Sequence, residues 1–229
     1  MKKLFFFPLL LLVFSCSKED DNNSNQFVPL LTKVTSVSET DGVSFEFVFS
    51  YDAQKRLTKL VRTGDSDATY EYGYNAANQI SDIHFEIDNG PQEFTVQYDG
   101  AIVKSYTLDG AVTNISYDPA TQLYDFNGLD LGIHGVGDIA IAGENSCGYD
   151  VSKKGPMYFA GSANGMILAI TEGLSLYFAS KFPLNSIKDG QGNNLFDLQN
   201  TYNESGLILK SSVVGALYSV EITYDYGFL

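Results

Sequence analysis

Phe49-Ser50-Tyr51-Asp52-Ala53-Gln54-Lys55-Arg56-Leu57-Thr58-Lys59-Leu60-Val61 is the stretch on which the fold turns. It ends a run in which Val43, Phe45, Phe47, Phe49 and Tyr51 alternate with Ser44, Glu46, Val48 and Ser50. A period of two sends the aromatic side chains to one face of a strand and the polar ones to the other. Asp52 follows, an acid that bonds its own backbone two residues on and so starts a turn. Leu57 to Val61 then leads away as the outgoing strand. The unit is a β-hairpin whose last core-facing residue is a tyrosine.

The same punctuation recurs at Tyr74-Asn75, Tyr98-Asp99-Gly100, Tyr117-Asp118-Pro119, Tyr202-Asn203 and Tyr224-Asp225. The first four tyrosines lie 23, 24 and 19 residues apart, about one two-stranded hairpin per repeat. Alternation is equally plain in Tyr70 to Tyr74, Ile83 to Ile87, Phe94 to Tyr98 and Tyr218 to Tyr226. With 15 Tyr and 16 Phe the chain is rich in strand formers. No stretch between Phe27 and Leu229 carries a 3.6-residue apolar stripe over three turns; the best helix candidate, Asn185 to Asp189, is too short to matter. The fold class is therefore all-β: an antiparallel meander of hairpins, one strongly twisted sheet curling toward a barrel or packing on itself.

These units resemble the tyrosine–aspartate (YD, RHS-type) repeats, most clearly in FSYDAQKRLTKLV (Phe49 to Val61) and TYNESGLILKS (Thr201 to Ser211). The chain looks most like the short Bacteroidota lipoproteins of uncharacterised function that carry such degenerate repeats. The resemblance covers Phe45 to about Phe126 and then Leu198 to Tyr226. It implies an architecture and says almost nothing about chemistry. About six degenerate units are too few for the hollow shells of the large RHS toxins. The turn glycine typical of the family is replaced in Asp52-Ala53-Gln54-Lys55 and Asn75-Ala76-Ala77-Asn78.

The amino terminus carries an address. Lys2 and Lys3 precede an apolar run, Leu4 to Phe14, too short to span a bilayer but of signal-peptide length. Val13-Phe14-Ser15-Cys16 resembles the lipobox of bacterial lipoproteins, which implies cleavage before Cys16 and acylation of its thiol. Lys18, Glu19, Asp20 and Asp21 look like the Bacteroidota signal for surface export. The expected organisation is a signal peptide over 1–15, a lipidated cysteine and acidic tether over 16–29, and one β-rich domain over 30–229. That domain divides into YD-like hairpins (30–127), a Gly-rich middle of short strands and tight turns (128–195) and a C-terminal YD-like hairpin (196–229). The irregular middle, with short apolar runs at Ile139 to Ala142 and Leu174 to Phe178, is where a binding surface is first sought. The expected location is the outer membrane, lipid-anchored and facing the exterior.

Processing leaves 12 of the 14 basic residues against all 28 acidic ones, a formal net charge of −16. That balance excludes nucleic acid as a partner and disfavours electrostatic docking on anionic lipid. Lipid on Cys16 leaves Cys147 alone, so no intrachain disulfide forms. The absence of Trp lowers, without removing, the prospect of stacking on sugars, since Tyr can substitute.

Motifs that carry chemistry are few. Gly135-Val136-Gly137-Asp138-Ile139-Ala140 matches a dinucleotide fingerprint only in spelling, because no helix pattern follows. Cys147 with His84 or His134 has the residue types of a nucleophile and base but no local signature. Two histidines and one free cysteine do not make a zinc site, and no Gly-x-Ser-x-Gly elbow is present. Asp189-Gly190-Gln191-Gly192-Asn193-Asn194 has alternating oxygen ligands but lacks the Gly and Glu of a calcium loop, and reads as a turn. No cofactor or metal is implied. The expected function is a non-enzymatic binding or structural module for a glycan or protein partner. Its alternatives are a periplasm-facing carrier of apolar cargo inside a half-open barrel and a hydrolase with unrecognised carboxylates.

Overall fold

The computed structural model of the protein describes residues 28–87, 90–135, 137–161, 165–216 and 218–228. Cys16, Lys18, Glu19, Asp20 and Asp21 lie outside them. The strands are β1 (Pro29–Ser38), β2 (Ser44–Tyr51), β3 (Leu57–Gly64), β4 (Ala68–Tyr74), β5 (Ile80–Ile87), β6 (Gly90–Asp99), β7 (Ile102–Leu108), β8 (Ala111–Asn114) and β9 (Ser116–Asp118). They continue with β10 (Leu123–Phe126), β11 (Leu129–Ile133), β12 (Ile139–Ala142), β13 (Asn145–Tyr149), β14 (Leu184–Lys188), β15 (Asn194–Tyr202), β16 (Ile208–Gly215) and β17 (Ser219–Phe228). Apart from β8 and β9, which do not pair with each other, each pairs antiparallel with its neighbour in sequence, as a meander requires. The first strand closes the ring, pairing with β17 on one side and β2 on the other. Across 111–118 a bent strand serves β7 with its first part, β8, and β10 with its second, β9. The result is a nearly closed barrel.

Local chemistry builds three of these turns as the sequence foretells. Asp52 Oδ1 accepts from the backbone N–H groups of Gln54 (2.9 Å) and Arg56 (2.9 Å). Asn75 does the same for Ala77 and Gln79, and Asn203 for Ser205 and Leu207. The residue three past the Asx turns left-handed: Lys55 at φ 62°, Asn78 at φ 60°, Gly206 at φ 77°. Glycine suits that conformation, so Lys55 and Asn78 hold it at a cost their turns must absorb. The tyrosine before the Asx ties one unit to the last. Tyr74 Oη donates to the carbonyl of Leu57 (2.7 Å), and Tyr98 Oη to that of Ile80 (2.6 Å). Leu57 and Ile80 each stand six residues past the previous unit's tyrosine, so the bond repeats with the hairpin. Tyr224-Asp225 departs from this pattern. It lies inside β17, which runs on to Phe228, and Asp225 meets Lys33 on the outside (3.4 Å).

Strand direction sorts the connections onto two rims. Pro29 and Phe228 are paired at the end of the barrel where the chain enters and leaves. That terminal rim also carries the connections after β2, β4, β6, β9, β11, β13 and β15. The far rim carries those after β1, β3, β5, β7, β10, β12, β14 and β16.

The body is all-β as expected, and the correction concerns its middle, which is more than short strands and tight turns. Asn185 to Asp189 does not start a helix: Leu184–Lys188 is β14. The helical segments lie just before it, α1 (Gly165–Thr171) and a 3-10 turn over Gly173–Tyr177, where Leu174 to Phe178 reads as a strand in sequence. Both belong to the connection between β13 and β14, which leaves and returns at the terminal rim and folds into the barrel as a plug. Met157, Met166, Ile167, Leu168 and Phe178 from this plug are buried in one core with the inward faces of the strands. Phe178 lies 4.9 Å from Phe47 and 5.2 Å, edge-on, from Phe49. Each such side chain contributes about 1.5–3 kcal/mol on burial, which is why the plug stays inside.

Candidate functional surfaces

Three polar clusters fix the plug. Glu172, only 2% exposed, accepts from Arg62 Nη1 (2.7 Å) and Tyr70 Oη (3.0 Å) through one oxygen, and from the backbone N–H of Leu174 (3.1 Å) through the other. Arg62 also donates to the Ser66 carbonyl (3.2 Å). Asp138 accepts from the backbone N–H groups of Lys181 (2.7 Å) and Phe182 (3.0 Å), where the plug returns to the wall. Burial holds its carboxyl above the usual carboxylate range and the Lys181 ammonium below its own. Tyr224 Oη, fully inside, donates to the Tyr177 carbonyl (2.9 Å). The two buried carboxylates thus have separate partners and hold chain segments, as a positioning role demands.

The sequence-derived candidates disperse. Cys147 is buried in β13, and desolvation pushes its thiol up to about 11. A thiol so raised is a poor nucleophile at neutral pH. His134 sits in a turn against the edge of Tyr149. His84 lies on the outer wall, its Nδ1 2.7 Å from Glu93 Oε1, and that hydrogen bond raises its pKa. Neither imidazole shares a site with Cys147. Gly137 and its neighbours lead into β12 rather than a helix, so the fingerprint spelling has no dinucleotide geometry. Asp189 Oδ1 accepts from the backbone of Gln191 (3.0 Å) and Asn193 (2.8 Å), an Asx turn at the far rim. Among the described residues no cluster of three metal-binding side chains forms.

Sequence reading missed the Arg62–Glu172 pair. A signal was present: Arg62 shares the inward face of β3 with Leu57 and Leu60, where a charge needs a buried partner.

The outer wall is charged. Lys59 on β3 stands opposite Glu71 on β4, Glu71 opposite His84 on β5, and His84 opposite Glu93 on β6. Lys33 reaches Glu46 (3.6 Å), and Lys210 reaches Glu221 (2.6 Å). A barrel wall in lipid presents an apolar band, whereas this one is apolar within and ionic without. Depressions in the wall include two lined largely by polar side chains. One, about 330 Å³, is lined by Gln199, Asn200, Thr201, Lys210, Ser212 and Glu221. The other, about 310 Å³, lies toward the far rim between Arg62, Asp67, Thr69 and Glu86.

No family model matches the chain, and no curated protein matches it. Among solved structures it is similar to one described as a porin-like protein from Bacteroides uniformis ATCC 8492. The two share 10% identity over 86% of this chain and 96% of that one, with a TM-score of 0.45.

Proposed function

We propose that this chain is a lipoprotein of the outer membrane, acylated at Cys16, displayed to the exterior by Lys18, Glu19, Asp20 and Asp21, and acting as a non-enzymatic binding or structural module. The filled interior carries this reading. A barrel packed by its own plug is a rigid scaffold, and recognition falls to its outside. The same packing counts against a carrier, because the described interior is occupied by Phe47, Phe178, Ile167 and their neighbours instead of cargo. It counts against a hydrolase as well, since Asp138 and Glu172 are sealed from substrate and bound to structural partners. The depression of amide, hydroxyl and ionic groups on β15, β16 and β17 suits a hydroxyl-rich or polar partner, a glycan or a protein surface.

Protease added to intact cells tests the display. The protein should be degraded while periplasmic markers survive, and Cys16→Ala should release it from the membrane fraction. Full protection until the outer membrane is breached would overturn the outward address. Retention of the Cys16→Ala protein in the membrane would overturn the anchor.

A further inference from the structure

The acidic total hides an uneven distribution. The far rim carries Glu39, Asp41, Asp65, Asp67, Glu144 and Asp189 on its connections. The described far-rim connections hold no Lys or Arg, whereas those of the terminal rim hold Lys55 and Arg56 after β2, Lys153 and Lys154 after β13, and Lys181 before β14, against Asp52, Asp150 and Glu204 and the buried Asp138 and Glu172. Arg56 is paired with Asp52 (2.7 Å). Among the described residues, five lysines have no carboxylate oxygen within 4 Å: Lys55, Lys153, Lys154, Lys181 and Lys188. Four of the five are on the terminal rim.

These four form one patch. Gly161 N–H donates to the Lys55 carbonyl (2.6 Å), and Lys181 Nζ donates to the carbonyls of Ala160 and Gly161. Lys154 Nζ lies 5.3 Å from the Phe159 ring centre and 5.7 Å from that of Tyr158, and Lys153 Nζ 5.4 Å from that of Tyr202. Apolar groups face outward beside them: Val151 is 72% exposed and Tyr158 39%. Asp150 lies near Lys153 and Glu204 is exposed on a neighbouring connection, but neither comes within ion-pair distance of the patch. Lysines so left, interleaved with aromatics and an exposed aliphatic side chain, are the makings of a surface for phosphate headgroups and the interfacial layer beneath them.

We propose that the terminal rim rests on an anionic lipid surface, with Lys55, Lys153 and Lys154 against phosphate headgroups and Val151 and Tyr158 in the interface. The inference rests on the anchor reading, since acyl chains on Cys16 bring this rim to the membrane. Residues 17–28 span at most about 40 Å when fully extended, so the body stays near its anchor. The acidic far rim is then repelled from the surface and the basic patch drawn to it, within a screening length of about 8–10 Å. The lysines together suffice to set orientation although they are too few to anchor the protein alone.

The test supplies the anchor artificially. The chain from residue 16 onward, which keeps the ring over 29–228 whole, is coupled through the Cys16 thiol to a maleimide lipid; Cys147 is buried and does not compete. Vesicles of phosphatidylcholine, with and without phosphatidylglycerol, are compared by lysine acylation and mass spectrometry. Lys55, Lys153 and Lys154 should react at least about threefold more slowly on the anionic vesicles, with Lys188 and Lys210 unchanged. High salt, or the triple reversal Lys55→Glu, Lys153→Glu and Lys154→Glu read by protection of residues 150–161 from hydrogen exchange, should abolish the difference. Equal rates on both vesicles would overturn the proposal. So would protection that is already present before coupling and vanishes in Glu19→Gln/Asp20→Asn/Asp21→Asn, because the tether's own acids would then cover the patch. Neither result bears on whether cells acylate Cys16, which the mass of the protein isolated from cells decides separately.

Discussion

Arg62 Nη1 lies 2.7 Å from Glu172 Oε2, a contact between residues 110 apart in the chain that joins the third strand to the plug. Both ends are largely withdrawn from water, with side-chain exposures of 16% and 2%. Such a pair stabilises little against a well-packed apolar replacement, yet breaking it strands a buried charge. Arg62→Met should therefore cost about 3 kcal/mol in urea unfolding, and Glu172→Ala a similar amount. The double variant Arg62→Met/Glu172→Met should recover most of that loss. Additive losses would mean that the two charges do not act as a pair.

The tyrosine hydroxyls divide into two groups with opposite expected responses. Tyr74 and Tyr98 each donate to the preceding hairpin, so Tyr74→Phe and Tyr98→Phe should each cost about 1 kcal/mol. Tyr51 Oη and Tyr226 Oη are buried at the seam without a protein partner. Tyr51→Phe and Tyr226→Phe should be neutral or mildly stabilising, since they remove a desolvated group that gains nothing. Chemical unfolding of the four variants side by side separates the groups.

Lys55 adopts φ 62°, which costs a residue with a Cβ about 1 kcal/mol. Lys55→Gly should raise stability by about 0.5–1 kcal/mol, somewhat offset by the freedom glycine has when unfolded. Asn78→Gly should gain less, because asparagine tolerates the left-handed region. Thermal melts of the two variants give the comparison.

Cys147 makes stability fall in alkali. Its folded thiol titrates at about 11 against an ordinary value of 9.0, so between those values the folded state binds more protons than the unfolded one. The contribution is fully present below pH 9 and is lost as pH rises toward 11. Wild type should lose about 1 kcal/mol more than Cys147→Ala between neutral pH and roughly half a unit above the ordinary thiol value. Equal pH slopes for the two proteins would show that the thiol titrates alike in both states.

The hairpins were legible because one residue type announces each event: an aromatic alternation for the strand, an Asx for the turn. Phe49 to Val61 contains both signals, and the wall follows from repeating it. The plug was not legible for a physical reason. Its seven-residue helix is too short to display a stripe, and inside a barrel Met166, Ile167 and Leu168 are covered on all sides, so no polar face marks the period. Arg62 has the inward parity of Leu60, but its partner Glu172 is 110 residues away in the plug and no local pattern joins the two. The charge asymmetry was hidden for another reason: a net sum has no geometry. Lys55 and Lys153 are almost a hundred positions apart and meet only through the plug.

Closure of the ring by β1 sets a constraint on when the molecule can exist at all. Pro29–Ser38 must find Ser219–Phe228 across nearly the whole chain, while the other pairings in the meander are local, save that of β13 with β14 across the plug. Local hairpins form in microseconds, but a contact of such sequence separation waits on the slow search for both ends. Until the last ten residues are released, the first and penultimate strands each keep an open edge, the state most exposed to pairing with another chain. A chain made from its amino terminus therefore completes its barrel only after β17 has emerged, and removal of β17 takes away the closing element of the fold.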